Sequence, residues 1–198
     1  MEFQDVIRKR RMVRSFESTP LPNEIVERLL ANAQRAPSAG FSQGWAFLVL
    51  EGPDQTSAYW DAVGPDDRQS FRWQALFNAP LLIVCLSNKS AYLDRYAEPD
   101  KGRAERSESS WPAPYWDIDT GMAALLILLT AVDAGLGAVF FGIPPRKHAR
   151  FRELFGIPPE LHPIGTVAVG YTRADDPPGR SIKRGRRPAA EVIHRGRW

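Results

Sequence analysis

At 198 residues the chain is long enough to bury a core of its own, and it reads as one domain over residues 1–198. With 43% hydrophobic and 25% charged residues it is composed as a globular protein, which excludes a disordered or fibrous chain. The 26 Lys and Arg against 23 Asp and Glu leave a net charge of only +3, so any anion-binding role rests on where the cations lie.

Taken in chain order, Phe3, Val6 and Ile7 at helical spacing predict a short first helix over 2–11. After Pro20 and Pro22, Asn23 leads into a second helix whose apolar face is Ile25, Val26, Leu29, Leu30 and Ala33, ended by Pro37. A loop precedes a strand at Trp45–Leu50. Residues 54–78 read as helix of weak periodicity, and Pro80–Leu86 as a buried strand. Residues 88–114 are irregular and charged, ending in Trp-Pro-Ala-Pro-Tyr-Trp. Asp117–Gly135 is the longest helix, and it is apolar nearly all round between Met122 and Val132. Such a helix needs cover on most sides, for which a second subunit is the simplest source. Gly135-Leu136-Gly137 closes it, followed by a strand at 138–141, a short helix near 146–155 and a last strand at 164–170. From Thr172 the tail is poor in apolar residues until Val192, Ile193 and Trp198, which suggests that it docks on something. Helices interleaved with strands imply a central sheet covered by helices, α+β or α/β.

The familiar catalytic signatures are missing. There is no Gly-x-Ser-x-Gly, no Walker A sequence, no Gly-x-Gly-x-x-Gly after a strand and no His-Glu-x-x-His. The lone cysteine, Cys85, lies in an apolar run, and His148, His162 and His194 have no metal-ligand spacing, so no metal and no side-chain nucleophile is expected. A cofactor bringing its own reactivity would resolve this. Cations cluster at 8–14 and 180–187. Brought together they would hold a small multiply charged anion, and kept apart they are solvated surface. The basic tail lacks the recognition helix or interleaved aromatics of a nucleic-acid binder. The opening Met-Glu-Phe-Gln-Asp is unlike a signal peptide, and no run reaches the length of a membrane span. The expectation is a cytoplasmic protein with neither nucleic acid nor membrane as partner.

Four segments resemble those of FMN-dependent nitroreductases, in that family's order. They are Arg10-Arg11-Met12-Val13-Arg14-Ser15-Phe16, the loop Ala36-Pro37-Ser38-Ala39-Gly40-Phe41-Ser42-Gln43-Gly44-Trp45, the helix start Asp119-Thr120-Gly121-Met122 with its exit at Gly135-Leu136-Gly137, and Arg184-Gly185-Arg186-Arg187-Pro188. The resemblance implies an α+β fold with a mixed or antiparallel sheet, in a homodimer that buries the long helix, exchanges C-terminal tails and holds FMN at the subunit interface. By resemblance, Arg10, Arg184 and Arg186 clamp the FMN phosphate, and Arg14 lies at the pyrimidine edge of the flavin. Arg11 and Met12 belong to the same opening segment, although Arg11 also reads as a solvated charge. Pro37, Ser38 and Ala39 pack beside the ring, with Gln43 tying the loop. Phe140, Phe141, Gly142 and Ile143 lie against the flavin face, a backbone N–H of Gly142 or Ile143 reaching N5. Phe41, Trp111, Tyr115 and Trp116 line a substrate pocket or simply pack, and Asp119 reads as a first-turn charge at the helix dipole.

The implied activity is ping-pong transfer of hydride from NADH or NADPH, through FMN, to an organic acceptor such as a nitroaromatic, quinone or enone. The alternatives are a dehydrogenase or oxidase of a bulky organic substrate, and a flavin-holding protein without turnover. The chain departs from the family pattern at Met12, where Ser is usual, at Phe41 in place of Asn, and at Gly44 in place of Pro. The loop also resembles a flavin-cleaving branch that has an acid near the position of Met12, and methionine cannot transfer a proton.

Overall fold

The computed structural model describes residues 1–101, 106–177, 179 and 183–198. Helix α1 (Phe3–Lys9) and α2 (Asn23–Ala33) precede strand β1 (Trp45–Glu51), which turns at once into α3 (Gly52–Val63). Then come β2 (Leu81–Asn88), α4 (Lys89–Tyr96), α5 (Tyr115–Asp133), β3 (Gly137–Phe141), α6 (His148–Phe155) and β4 (Leu161–Gly170). The strands form one antiparallel sheet in the order β1-β2-β4-β3, so the fold is α+β.

The sheet is apolar on both faces, which is why β2 reads as an unbroken hydrophobic run. Leu82, Val84 and Leu86 of β2, with Val139 and Ala168, pack under α3 and α6 against Tyr59, Trp60, Val63 and Phe151. Leu81, Ile83 and Cys85, with Ala138, Val167 and Val169, pack against α2 and α5 through Val26, Leu29, Ala123, Ile127 and Ala131. Alternation along the strands thus builds two cores from one sheet.

Several boundaries differ from the expected ones. The helix expected over 54–78 stops at Val63, and a 3-10 turn at Gln74–Asn78 is all that follows of it. Pro65, lacking an amide hydrogen, drives the preceding residue out of the helical region. Helix α2 ends at Ala33, four residues before Pro37. The segment 88–114, expected to be irregular throughout, begins with α4, capped by the Asn88 side chain, which accepts from the Ala91 N–H at 3.1 Å.

Helix α5 has the length and apolarity of a membrane span, yet half of it is buried within this chain, as in a core helix. The apolar residues it leaves exposed, Ile118, Met122 and Leu125, fall at i, i+4 and i+7 on one stripe. Phe3 and Ile7 of α1 are exposed as well.

Cys85 is wholly buried, and burial pushes its thiol from an ordinary 9.0 up to about 12. Below pH 9 the folded protein should therefore give no thiol reaction with Ellman's reagent, and one thiol per chain after denaturation in urea. Because the unfolded thiol ionises first, stability should fall as pH rises from 9 toward 12. Fast labelling of the native protein at pH 8 would contradict this burial.

Candidate functional site

The N-terminal segment is pinned along the outer edge of β3. Met12 bridges Ala138 in parallel, and the Val13 N–H donates to the Ala138 carbonyl at 3.0 Å. Val13 and Phe16 are buried, and Phe16 bridges Thr172 beyond the end of β4. Gly137 permits this approach: a Cβ there would sit 2.4 Å from Thr172 Oγ1 and 2.7 Å from Val13 Cγ1. Asp176, with a side chain only 1% exposed, ties the segment down by accepting from the Arg14 N–H at 2.9 Å and from the Arg11 guanidinium.

With Val13 and Phe16 turned inward, Arg14 stands at the rim of a cavity of about 420 Å³ on the α3/α6 side of the sheet. Its wall is largely aromatic. Trp60 stacks on Phe141 at 5.5 Å and 13°, and Phe71 and Trp73 complete the lining with Val63, Val139 and Gly142. The guanidinium of Arg14 lies 5.5 Å from the Trp73 ring centre and that of Arg72 lies 4.2 Å from it. Arg146 is the second cation on the rim. With Lys147 it pairs to Asp66, and the two cations hold that carboxyl below the usual carboxylate range. The Trp60 Nε1–H is buried without a hydrogen-bond partner among the described residues.

The structure therefore brings Arg14, Phe141 and Gly142 to one cavity. Phe140, next along the strand, points to the other face and packs in the α2/α5 core, while Ile143 is buried in the α3/α6 core. Arg10 caps α1 with its backbone, Arg11 is committed to Asp176, and Met12 is partly buried against both cores. The C-terminal chain reaches the same edge, where Gly179 lies against the Arg14 guanidinium. Beyond it residues 183–198 are exposed throughout, including Arg184, Arg186 and the apolar Val192, Ile193 and Trp198. Of the tail cluster, residues 180–182 lie outside those described. Trp60, Arg72, Trp73, Arg146 and Asp176 were not anticipated as site residues. The adjacent Arg72-Trp73 pair is the one local signal that could have marked the rim.

Loop 37–43 lies elsewhere, beyond the start of β1 at the opposite sheet edge from β3, about 14 Å away across three strand spacings. It is held from every side. The Ala39 N–H donates to Asp119 Oδ2 at 2.8 Å, the Gln43 N–H donates to Ser38 Oγ at 3.0 Å, and Arg95 Nε donates to the Gly40 carbonyl at 3.0 Å. Ser42 Oγ donates to the Ala39 carbonyl at 2.6 Å. Asp119, expected to be a first-turn charge, is instead a buried acceptor that also takes the Tyr92 hydroxyl at 2.8 Å. Burial, and then the bond to Asp119, push the Tyr92 phenol well above its ordinary range, so it stays a donor. Trp111, Tyr115 and Trp116 gather with Tyr92 and Tyr96 behind this loop, with Trp111 4.6 Å from Tyr96. They surround the loop rather than the Arg14 cavity.

A model of the Nitroreductase family matches residues 7–171, a span that includes the pinned segment, the loop, α5 and the whole sheet. The chain belongs to the nitroreductase family. It is 28% identical, over 98% of its length and 97% of the relative's, to an Archaeoglobus fulgidus protein provisionally named NADH dehydrogenase/NAD(P)H nitroreductase. It is 26% identical to a Staphylococcus aureus NADPH-dependent oxidoreductase, covering 98% of this chain and 73% of that one. The solved structure of an FMN-dependent nitroreductase from Clostridium difficile superposes with a TM-score of 0.69 at 20% identity, over 98% of both chains, a likeness of fold. As a member of the nitroreductase family the chain is an oxidoreductase.

Removing the acceptor that pins the N-terminal segment should be costly. Asp176→Ala leaves the Arg14 N–H and the Arg11 guanidinium without their partner, and should lower stability by about 1–3 kcal/mol in urea unfolding. An unchanged midpoint would mean that Asp176 holds nothing.

Proposed function

We propose that this nitroreductase-family protein is an FMN-dependent NAD(P)H oxidoreductase that acts as a homodimer and reduces an organic acceptor. The observation that carries the reading is the convergence of Arg14, Phe141 and Gly142 on one aromatic-lined cavity with guanidinium groups at its rim. The residues fit a flavin. The cavity offers flat apolar walls to a planar ring, and Arg14 offers a cation where an electron-rich pyrimidine edge would lie. At Gly142 an added Cβ would meet nothing within 4 Å, so the backbone there is open to a ligand.

When bound, FMN supplies two-electron chemistry, accepting hydride from a nicotinamide and passing it to the acceptor. The chain's own residues bind, orient and exclude water. Asp176 fixes the backbone of Arg14, and the Trp60–Phe141 stack makes the floor rigid. Arg10, Arg184 and Arg186 would hold the phosphate ester with paired hydrogen bonds. Protons would come from solvent, since the described residues lining the cavity include no carboxyl or imidazole group and burial holds the Tyr59 phenol protonated.

Three features support the dimer. Helix α5 leaves the stripe Ile118, Met122 and Leu125 exposed, the tail carries Val192, Ile193 and Trp198 uncovered, and loop 37–43 lies far from the cavity of its own chain. A second copy packed on α5 would cover the first, receive the second and bring the third to a cavity. The NADPH-dependent name of the Staphylococcus aureus relative supports a nicotinamide donor.

Purified protein should be yellow, release FMN on denaturation, run as a dimer and lose its flavin absorbance when mixed anaerobically with NADH or NADPH. Colourless, monomeric protein that takes up no added FMN would overturn the reading. Within it, Arg10→Ala or Arg186→Ala should weaken FMN binding by about 2–4 kcal/mol, read as the dissociation constant by flavin fluorescence. Tight binding by either variant would remove that arginine from the phosphate clamp.

A further inference from the structure

Loop 37–43 is fixed by hydrogen bonds against left-handed backbone angles at Phe41 and Gln43, φ +57° and +49°. The wall of the Arg14 cavity is held by other means. Phe141, Gly142, Pro144 and Arg146 all line that cavity, so one side of it is the chain that leads from β3 to α6. The ladder to β4 ends with Phe141 opposite Thr166, and beyond that pair the sheet gives this chain no support. Pro144 and Pro145 lack the N–H with which a backbone ties itself to its neighbours.

The stretch between Gly142 and Pro144 is held at Ile143. The Ile143 side chain is buried in the α3/α6 core, and its carbonyl accepts from Nε2 of His148, the first residue of α6, at 3.0 Å. A carbonyl only accepts, so Nε2 carries the hydrogen, and both the neutral Nε2–H tautomer and the imidazolium can donate it. The ring is oriented in turn by His162 at the start of β4, which meets it edge to face at 5.6 Å between ring centres and 69° between planes. At Gly142 an added Cβ would have nothing within 4 Å, so it is backbone that meets the cavity there. Where backbone forms the wall no rotamer can adjust the fit, and the placement of the peptides from Gly142 to Pro144 decides it.

We infer that His148 is a positioning residue for the flavin, its bond to the Ile143 carbonyl setting the Gly142–Pro144 backbone at the distance from which it packs on the bound ring. The inference rests on the flavoenzyme reading above and adds to it a residue outside the cavity, since His148 is not among the residues that line it. A binding site has to be held within about 0.5 Å of its working geometry, and a segment with two prolines and no ladder partner meets that tolerance only when something fixes it. His148 does so through Ile143, and it exchanges no proton or electron with the ligand.

The test uses the full chain with His148→Leu, His148→Asn and His148→Gln. Glutamine carries its amide N–H out to where Nε2 lies, asparagine reaches only to the position of Nδ1, and leucine has no donor. Two quantities are read for each: the FMN dissociation constant by flavin fluorescence, and the visible circular dichroism of the flavin at saturating FMN, which follows the geometry around the ring rather than stability. His148→Leu and His148→Asn should weaken FMN binding about fivefold, the worth of one hydrogen bond, and alter the flavin bands, while His148→Gln should return both close to wild type. If His148→Leu does not fold, His148→Asn against His148→Gln carries the comparison. Affinity and bands unchanged without the donor overturn the role of His148. An equal loss in His148→Gln overturns the hydrogen bond as its cause, and a weaker affinity with unchanged bands marks an effect on stability and overturns positioning. Each of these outcomes leaves the flavoenzyme reading standing, whereas wild-type protein that takes up no FMN overturns that reading and this inference with it.

Discussion

A sheet whose two central strands are apolar on both faces cannot stand in water on either side, and that constraint organises the rest of this molecule. β2 and β4 must be covered twice, and the chain supplies α3 and α6 for one face and α2 and α5 for the other. Each cover brings its own functional segment. The α3/α6 layer carries Trp60 to the wall of the cavity, while the α2/α5 layer carries Asp119 and the loop it anchors. The division continues into single residues. Phe140 and Phe141 are neighbours in sequence, yet one packs in each core because successive strand residues face opposite ways.

This two-sided construction explains what could be read in the sequence and what could not. Long periodic or continuously apolar segments, α2, β2 and α5, were legible because their burial is written in the spacing of their residues. The end of α3 is written in the Gly64-Pro65 step, which the weak periodicity running on past Val63 obscures. Helix α4 was hidden by the charge of its residues. What makes it a helix is one cap, Asn88, and one buried aromatic, Tyr92. Of the residues that line the candidate cavity, Arg14, Phe141 and Gly142 are ones the resemblance names. Asp176 was not legible, since its importance lies in its burial and its contact with a segment more than 160 residues away.

The two candidate regions are built by opposite physical means. The Arg14 rim is electrostatic: the Arg14 and Arg72 guanidinium groups are set over Trp73, Arg11 pairs with Asp176 beside it, and Arg146 pairs with Asp66. Arg11 and Arg146 are thus partly neutralised within the chain, while the Arg14 guanidinium donates to the Met12 carbonyl at 3.3 Å. The loop is mechanical, with hydrogen bonds from three directions holding a backbone that would otherwise relax. Charge suits a region that must recognise an anion from a distance, and rigidity suits one that must meet a surface in a single shape.

That contrast bears on why the loop and the cavity lie on opposite sheet edges of one chain. A strained segment is safest where its own core cannot draw it in, and the start of β1 is such a place, since the strand it precedes is an edge strand. Holding Phe41 there stabilises nothing in the isolated chain, because the ring faces solvent. Asp119, which fixes the loop through the Ala39 N–H, is itself buried on α5. That one carboxylate ties helix α5 to the loop and, through the Tyr92 hydroxyl, to α4.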